Sequence, residues 1–216
     1  GAVMGSFFNA FAWRVVHGEN IASGRSHCAV CNHPLHPLDL VPVFSWIFLG
    51  GKCRYCGTKI SPRYLAIEVL GAVIFVSLLL RFDVSVELLQ WLSLACILLL
   101  LSLIDFESFI IPDQLLITAL ILYVPFQLIM GIDSIFGFVI HALAGGLAVS
   151  LPLLLLVLLA DRILGKETMG GGDIKLFFVL GVYFGPLQTL LILFISCLVG
   201  IAGQLILNRV TAGQPF

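Results

Sequence analysis

Charge is what this sequence has least of. Of its 216 residues only 11% are Asp, Glu, Lys or Arg, while 60% are hydrophobic and the mean hydropathy is +1.13. An ordinary soluble domain is about one-quarter charged, so this composition excludes one. The formal net charge of −1 shows no basic excess, and no sequence pattern resembles a nucleic-acid module, so no nucleic-acid partner is expected. A soluble-type cofactor fingerprint is also missing. No internal repeat relates two halves of the chain, and the acids crowd one membrane interface rather than the midplane. Both absences argue against a transporter or channel.

What the chain does have is long apolar runs. They lie near 64–80, 85–104, 114–132, 135–160, 174–185 and 187–207, with the fifth short enough to be tilted or re-entrant. Runs of about 17–25 apolar residues cross a hydrocarbon core about 30 Å thick. Residues 1–13 are apolar but too few to span, and they lack the basic front of a signal peptide. They are read as the remainder of a first helix that began upstream. The expectation is an all-α polytopic membrane protein of about seven transmembrane helices, the first truncated. Residues 1–13 form that partial helix, 14–63 a small cytoplasmic module and 64–216 the membrane-embedded core.

Positive charge sets the orientation. With alternating crossings, one side receives Arg14, Arg25, Lys52, Arg54, Lys59, Arg63, Arg162, Lys166, Lys175 and Arg209. Of the 11 basic side chains only Arg81 falls on the other. The first side is therefore expected to be cytoplasmic, and it also receives Asp105 and Asp173.

Between residues 14 and 63 the composition turns polar, and two cysteine pairs appear, Cys28-x-x-Cys31 and Cys53-x-x-Cys56. This spacing suits a zinc ribbon or knuckle with four thiolates around Zn²⁺. Such a module has almost no core, so the metal would supply its folding free energy. A cytoplasmic location favours metal over paired disulfides, and a site that needs no metal is the third reading. Four thiolates make a closed, structural site. His27, His33 and His36 are then solvated loop residues rather than ligands. Lys52, Arg54, Lys59 and Arg63 either face anionic headgroups or form a solvated basic face. Cys96 and Cys197 lie in apolar runs and are packing residues.

The acids divide by their structural explanations. Asp113 follows Pro112 and sits in the first turn of the 114–132 helix, where the dipole favours an anion. Glu107 lies in a polar connection and reads as solvated. Asp105 instead closes a helix at its C-terminal end, where the dipole disfavours negative charge, and so becomes a functional candidate. Asp173 lies in Met169-Gly170-Gly171-Gly172-Asp173-Ile174-Lys175, as an expected N-cap for a helix starting at Ile174. Glycines such as Gly170 and Gly172 let another backbone come close. Two carboxylates at one membrane surface suggest an aspartic protease in which the pair shares a proton. The helix ends suggest that Asp173 carries the charge and Asp105 the proton.

Glu68, about one turn into the 64–80 helix, either binds a basic or amino group of substrate or pairs with Arg63 or Lys59. His141 and Gln127 are expected to make interhelical hydrogen bonds, and Gly145-Gly146 to allow close helix packing. A zinc-ribbon adaptor anchored by helices would explain the cysteines but leave both aspartates idle.

Taken together, these residues resemble the bacterial type IV prepilin peptidases, GxGD-type membrane aspartic proteases that are usually also N-methyltransferases. The resemblance runs through Gly5-Ser6-Phe7, Asn9, Arg14, Arg25-Ser26-His27-Cys28 and both cysteine pairs. It continues through Arg54-Tyr55-Cys56-Gly57, Ile60-Ser61-Pro62-Arg63-Tyr64 and Glu68, then Asp105, Ile111-Pro112-Asp113 and Gly170–Lys175. It implies that Asp105 and Asp173 are the catalytic pair, while Gly170, Gly172, Lys175, Glu68 and Asp113 bind substrate or support the site. It further implies a multi-pass protein of the bacterial inner membrane that cleaves prepilins or pseudopilins after a glycine on the cytoplasmic side. Methylation of the new N-terminal residue from S-adenosylmethionine would follow, by residues the sequence does not assign. The alternatives are a peptidase without methyl transfer or another GxGD-type intramembrane protease; the long cysteine-bearing insert argues for the prepilin type.

Overall fold

A computed structural model of the chain describes residues 1–20, 25–131 and 134–212. It is helical, with α1 at Ala2–His17, a short α2 at Phe44–Phe48 and α3 at Pro62–Phe82. Then come α4 at Val86–Ser108, α5 at Asp113–Met130, α6 at Ile135–Leu164 and α7 at Gly171–Ala212. They form two compact units, Gly1–Met130 and Gly131–Phe216. Among the described residues five helices, α3 to α7, are long and apolar enough to cross a membrane. The expectation of about seven crossings also counted the 16-residue α1 and took the two parts of α7 separately.

In the first unit α4 is the central helix, with half of its most apolar window buried against 11% for α3 and α5. Ser85 caps its start by accepting the Leu88 N–H at 3.1 Å. Leu100, Leu103 and Ile104 of α4 pack with Phe8 and Ala12 of α1 in one buried cluster. Helix α1 also lies unusually close to α3. A Cβ on Gly5 would stand 2.7 Å from the Ile67 carbonyl oxygen and 2.9 Å from Glu68 Cα, so only glycine fits. Helix α3 starts at Pro62, in the first-turn position where a missing N–H costs nothing, with the Ser61 hydroxyl accepting the Arg63 N–H.

In the second unit α6 pairs with α7 through glycine. A Cβ on either Gly145 or Gly181 would run into the carbonyl of the other, and one on Gly146 would meet the Phe178 ring at 2.7 Å. The close packing expected of Gly145-Gly146 is present. Helix α7 breaks at Gly185 (φ 77°, ψ 176°), where Pro186 has no N–H to donate. The carbonyl of Gly185 accepts the Thr189 hydroxyl at 2.7 Å, so the break leaves that oxygen satisfied. This divides α7 where the sequence shows two apolar runs, 174–185 and 187–207.

Candidate active site and thiol cluster

The four cysteines of 14–63 converge. The sulfurs of Cys28, Cys31, Cys53 and Cys56 all lie within 4.8 Å of one another, and those of Cys28 and Cys56 are 3.9 Å apart. Two similar turns bring them there. In one, the Cys28 N–H donates to the His33 carbonyl and the Asn32 N–H to the Cys28 carbonyl; in the other, the Cys53 N–H donates to Thr58 and the Gly57 N–H to Cys53. Each turn needs a left-handed residue just after its second cysteine, met by Asn32 (φ 54°) and Gly57 (φ 72°). Such a four-sulfur cluster suits a tetrahedral soft-metal site.

The thiols do not hold their protons equally. Cys56 is pushed down to about 6, first by the Thr58 hydroxyl and then by the Thr58 backbone N–H. Backbone N–H groups of Cys31 and Val30 draw Cys28 below its ordinary value, whereas Cys31 is pushed up to about 11. For Cys31 the His33 N–H acts oppositely but is outweighed by burial and by the Cys28 and Cys56 sulfurs. Metal binding needs thiolates, so part of the cluster is already prepared for it.

Among the described residues the histidines stay outside this cluster. His33 stacks on Tyr55 with ring centroids 3.7 Å apart, and His36 caps the short 3-10 turn Pro37–Leu40. His27 lies 3.9 Å from the Glu19 carboxylate. The module is braced by Arg54, whose Nε donates to Asp39 Oδ1 at 2.7 Å. Arg54 is therefore tied within the module rather than only solvated or set against headgroups.

Glu68 had two readings, a substrate contact or a pair with Arg63 or Lys59, and no such ion pair is present among the described residues. Glu68 is buried, and its Oε2 accepts the Val43 N–H at 2.7 Å, tying the thiol module to α3. It also lines a cavity of about 500 Å³ whose walls include Trp13, Arg14, Trp46 and Lys59.

Arg63 instead pairs with Glu107, Nη1 donating to Oε1 at 2.8 Å. Glu107 was expected in a solvated connection; α4 runs on to Ser108, and Glu107 sits half-buried in its last turn. Asp105 occupies the same turn, exposed, and its backbone carbonyl accepts the Phe109 N–H at 2.8 Å. Phe109 is left-handed (φ 55°), so the chain turns sharply before α5. Asp113 is the first residue of α5, exposed, as its proline predicted.

In the second unit, α7 begins at Gly171, so Asp173 is its third residue rather than its N-cap. The glycines adopt helical geometry early because the following apolar run continues the helix through them. The Asp173 N–H donates to the Gly170 carbonyl at 3.2 Å, and a Cβ on Gly170 would stand 3.7 Å from Asp173 Oδ2. The half-buried carboxylate remains in the positive first turn, where an anion is favoured. Gly172 is the second helical residue and Lys175 an exposed one just beyond. The preceding loop is closed by Asp161, whose Oδ1 accepts both the N–H and hydroxyl of Thr168 at 2.7 and 2.6 Å. Its only sequence signal was an acid near the end of an apolar run. His141 is exposed on α6, and Gln127 half-buried on α5.

Membrane-length helices, a four-thiol module and acids set in helix-end turns define a polytopic membrane protein built around polar helix termini. The model of the bacterial peptidase A24 N-terminal domain matches residues 1–82, and that of the type IV leader peptidase family matches 92–205. The prepilin leader peptidase/N-methyltransferase of Bacillus subtilis is 32% identical over 218 residues, covering 100% of this chain and 84% of its own length. The protein of that name from Aeromonas hydrophila is 36% identical over 181 residues, 84% of this chain but 61% of its own length. A type 4 prepilin-like proteins leader peptide-processing enzyme of Escherichia coli is 31% identical over 238 residues, covering 86% of its own length. No solved structure matches the chain. The chain belongs to the type IV leader peptidase family and is a membrane peptidase of that family.

Proposed function

We propose that this protein removes the leader from type IV prepilins or pseudopilins at the cytoplasmic face of the bacterial inner membrane, with Asp105 and Asp173 as its catalytic pair. The cut follows a glycine, and methylation of the new N-terminal residue comes next. The carrying observation is that each unit, taken alone, bears its aspartate at its basic end. In the first unit, Asp105 lies in the α4 turn bound by Arg63, at the end of α3 that adjoins Lys52, Arg54 and Lys59; Arg81 lies at the other end of α3. In the second unit, Asp173 opens α7 beside Lys175, after the loop that carries Lys166 and follows Arg162, whereas the far end of α7, beyond the Gly185 break, carries one basic residue, Arg209. The positive-inside bias therefore supports the same orientation for both acids without any assumption about how the units meet.

One carboxylate removes a proton from water while the oxygen attacks the peptide carbonyl carbon. The other, protonated, donates to the carbonyl oxygen. Collapse of the tetrahedral intermediate breaks the C–N bond and releases the amine with a proton. Gly170 and Gly172 leave room for an extended substrate backbone beside Asp173, and Lys175 and Asp113 support the two helix starts.

The four thiolates fit Zn²⁺ in a structural role that holds the module together. S-adenosylmethionine would supply the methyl group. The cavity beside Glu68 and Arg14 is within the usual range for small-molecule sites and offers a carboxylate, a guanidinium and two indoles to such a ligand.

The test is incubation of the detergent-solubilised protein with a prepilin, with and without S-adenosylmethionine, read by mass spectrometry. Leader loss and an added methyl group then register separately. Asp105→Asn and Asp173→Asn should each abolish leader loss while remaining folded; near-normal cleavage by either variant removes that residue from the pair.

A further inference from the structure

We infer that Arg63 is a positioning residue for Asp105: from the start of α3 it clamps the last turn of α4 and sets where that carboxylate stands. This rests on the reading of Asp105 as catalytic. Three contacts carry it. The Arg63 Nη1 donates to Glu107 Oε1 at 2.8 Å, and its Nη2 donates to the Leu103 carbonyl at 3.4 Å. The guanidinium carbon stands 4.8 Å from the centroid of the Phe106 ring. Residues 103, 106 and 107 share one face of α4 and flank position 105 in sequence, so one side chain holds the turn from the face away from the aspartate, with no contact to its carboxylate among the described residues.

The grip acts where a helix is weakest. Helix ends fray, and here the chain turns off through a left-handed Phe109, within two turns of the Leu103 carbonyl that Arg63 reaches. Arg63 is itself fixed early in its own helix, directly after Pro62 and with its N–H on the Ser61 hydroxyl. The geometry suits arginine specifically. A planar fork meets a carboxylate and a carbonyl while its face lies on an aromatic ring, whereas a lysine ammonium is a point charge that matches only part of this set. Glu107 commits the pair further: its Oε2 is buried and has no hydrogen-bond partner among the described residues. Loss of Arg63 would leave that carboxylate uncompensated two residues from Asp105.

The experiment compares Arg63→Lys, Arg63→Gln, Phe106→Leu and Asp105→Asn in the full-length protein, with steady-state cleavage of a prepilin, detergent-phase melting and metal content measured for each. A displacement near 1 Å at a reacting group costs up to about 100-fold in rate. We expect Arg63→Gln to lower kcat by about 10- to 100-fold with KM within about two-fold, and Arg63→Lys to recover part of the loss. Phe106→Leu, which removes only the ring beneath the guanidinium, should show a smaller kcat loss. Unchanged kcat in a folded Arg63→Gln beside an inactive Asp105→Asn overturns the positioning role alone. A raised KM at unchanged kcat overturns it too, because Arg63 would then be contacting substrate. Full activity in Asp105→Asn instead overturns the catalytic reading beneath it. Should Arg63→Gln not fold, Arg63→Lys and Phe106→Leu decide: wild-type kcat in both refutes the inference.

Discussion

Removing the carboxylate of Glu68 should loosen the thiol module at one identifiable turn. Pro42, Val43 and Phe44 form a γ-turn, with the Phe44 N–H donating to the Pro42 carbonyl at 2.7 Å. Val43 stands at φ 67°, ψ −54°, a conformation costly for a β-branched residue, of order 1–3 kcal/mol. Something must hold it, and the Val43 N–H donates at 2.7 Å to Oε2 of Glu68, a residue only 8% exposed. Glu68→Ala leaves that N–H without its acceptor, at about 1–3 kcal/mol for a buried group. A central value of about 2 kcal/mol is about 30-fold in the local opening equilibrium. Hydrogen exchange of the Val43 and Phe44 amides in detergent should accelerate by that factor, with helix α4 unaffected. Glu68→Gln retains a carbonyl acceptor and should lose only part of the protection. Val43→Gly relieves the backbone cost, so a second substitution, Glu68→Ala, should matter less in that background. Unchanged amide protection in Glu68→Ala, or equal effects in both backgrounds, would refute the reasoning.

The thiol cluster predicts about one bound metal ion per chain when the protein is prepared with zinc, and Cys53→Ser, at the buried member, should abolish it; metal analysis reads both. Acid should release the ion. In the metal-free cluster, Cys56 lies at about 6 against an ordinary 9.0, so its contribution to stability is fully present above 9.0 and is lost as pH falls through about 6. Protons compete with the ion for all four sulfurs, so a chromogenic chelator should report faster release as pH falls, and pH-independent release would contradict it. Between α6 and α7, Gly181→Val must displace the Gly145 backbone and should destabilise by about 1–3 kcal/mol, whereas Gly203→Val, with open space around it, should change melting in detergent far less.

What the sequence made legible depended on how far apart the interacting residues were. The Cys-x-x-Cys pairs and the proline-led start of α5 follow from residues within a few positions, where spacing is geometry; the Gly145-Gly146 contact, whose partners are Phe178 and Gly181, was legible instead from the small-residue pair itself. The runs 174–185 and 187–207 read as separate crossings, and the break at Gly185-Pro186 falls between them within α7. Misjudged features involved pairings across tens of residues. Glu68 bonds to position 43 and Arg63 to position 107. For Glu68 the sequence offers either a substrate contact or a pair with Arg63 or Lys59; Glu68 meets Val43 because the thiol module folds back on α3, and Arg63 meets Glu107 because α3 and α4 pack side by side. The start of α7 failed differently: Gly170, Gly171 and Gly172 read as a loop by propensity, but a long apolar run behind them extends the helix backwards through two of the three.

Those corrections bear on how the two carboxylates proposed as the catalytic pair come to stand in unlike surroundings. Asp173 is the third residue of a helix, within reach of its unsatisfied N–H groups, whereas Asp105 is in the last turn of another, among carbonyl oxygens. The two ends impose fields of opposite sign, and each helix sets its own independently of the other. The negative end is the less hospitable to an acid, and it is there that a guanidinium has been placed, on the Leu103 carbonyl rather than on the Asp105 carboxylate itself. An arginine paired directly with Asp105 would occupy its carboxylate. Held on the Leu103 carbonyl instead, it leaves that exposed carboxylate available for the role proposed for it above. Moving the cation onto the acid should therefore damage the enzyme more than moderating the clamp. Ser102→Arg, one turn before Phe106 and on an exposed position of α4, tests this. If the introduced guanidinium reaches Asp105, cleavage should fall although melting is unchanged. Undiminished cleavage, with an ion pair between that guanidinium and Asp105 demonstrated, would show that Asp105 does not need its carboxylate unpaired.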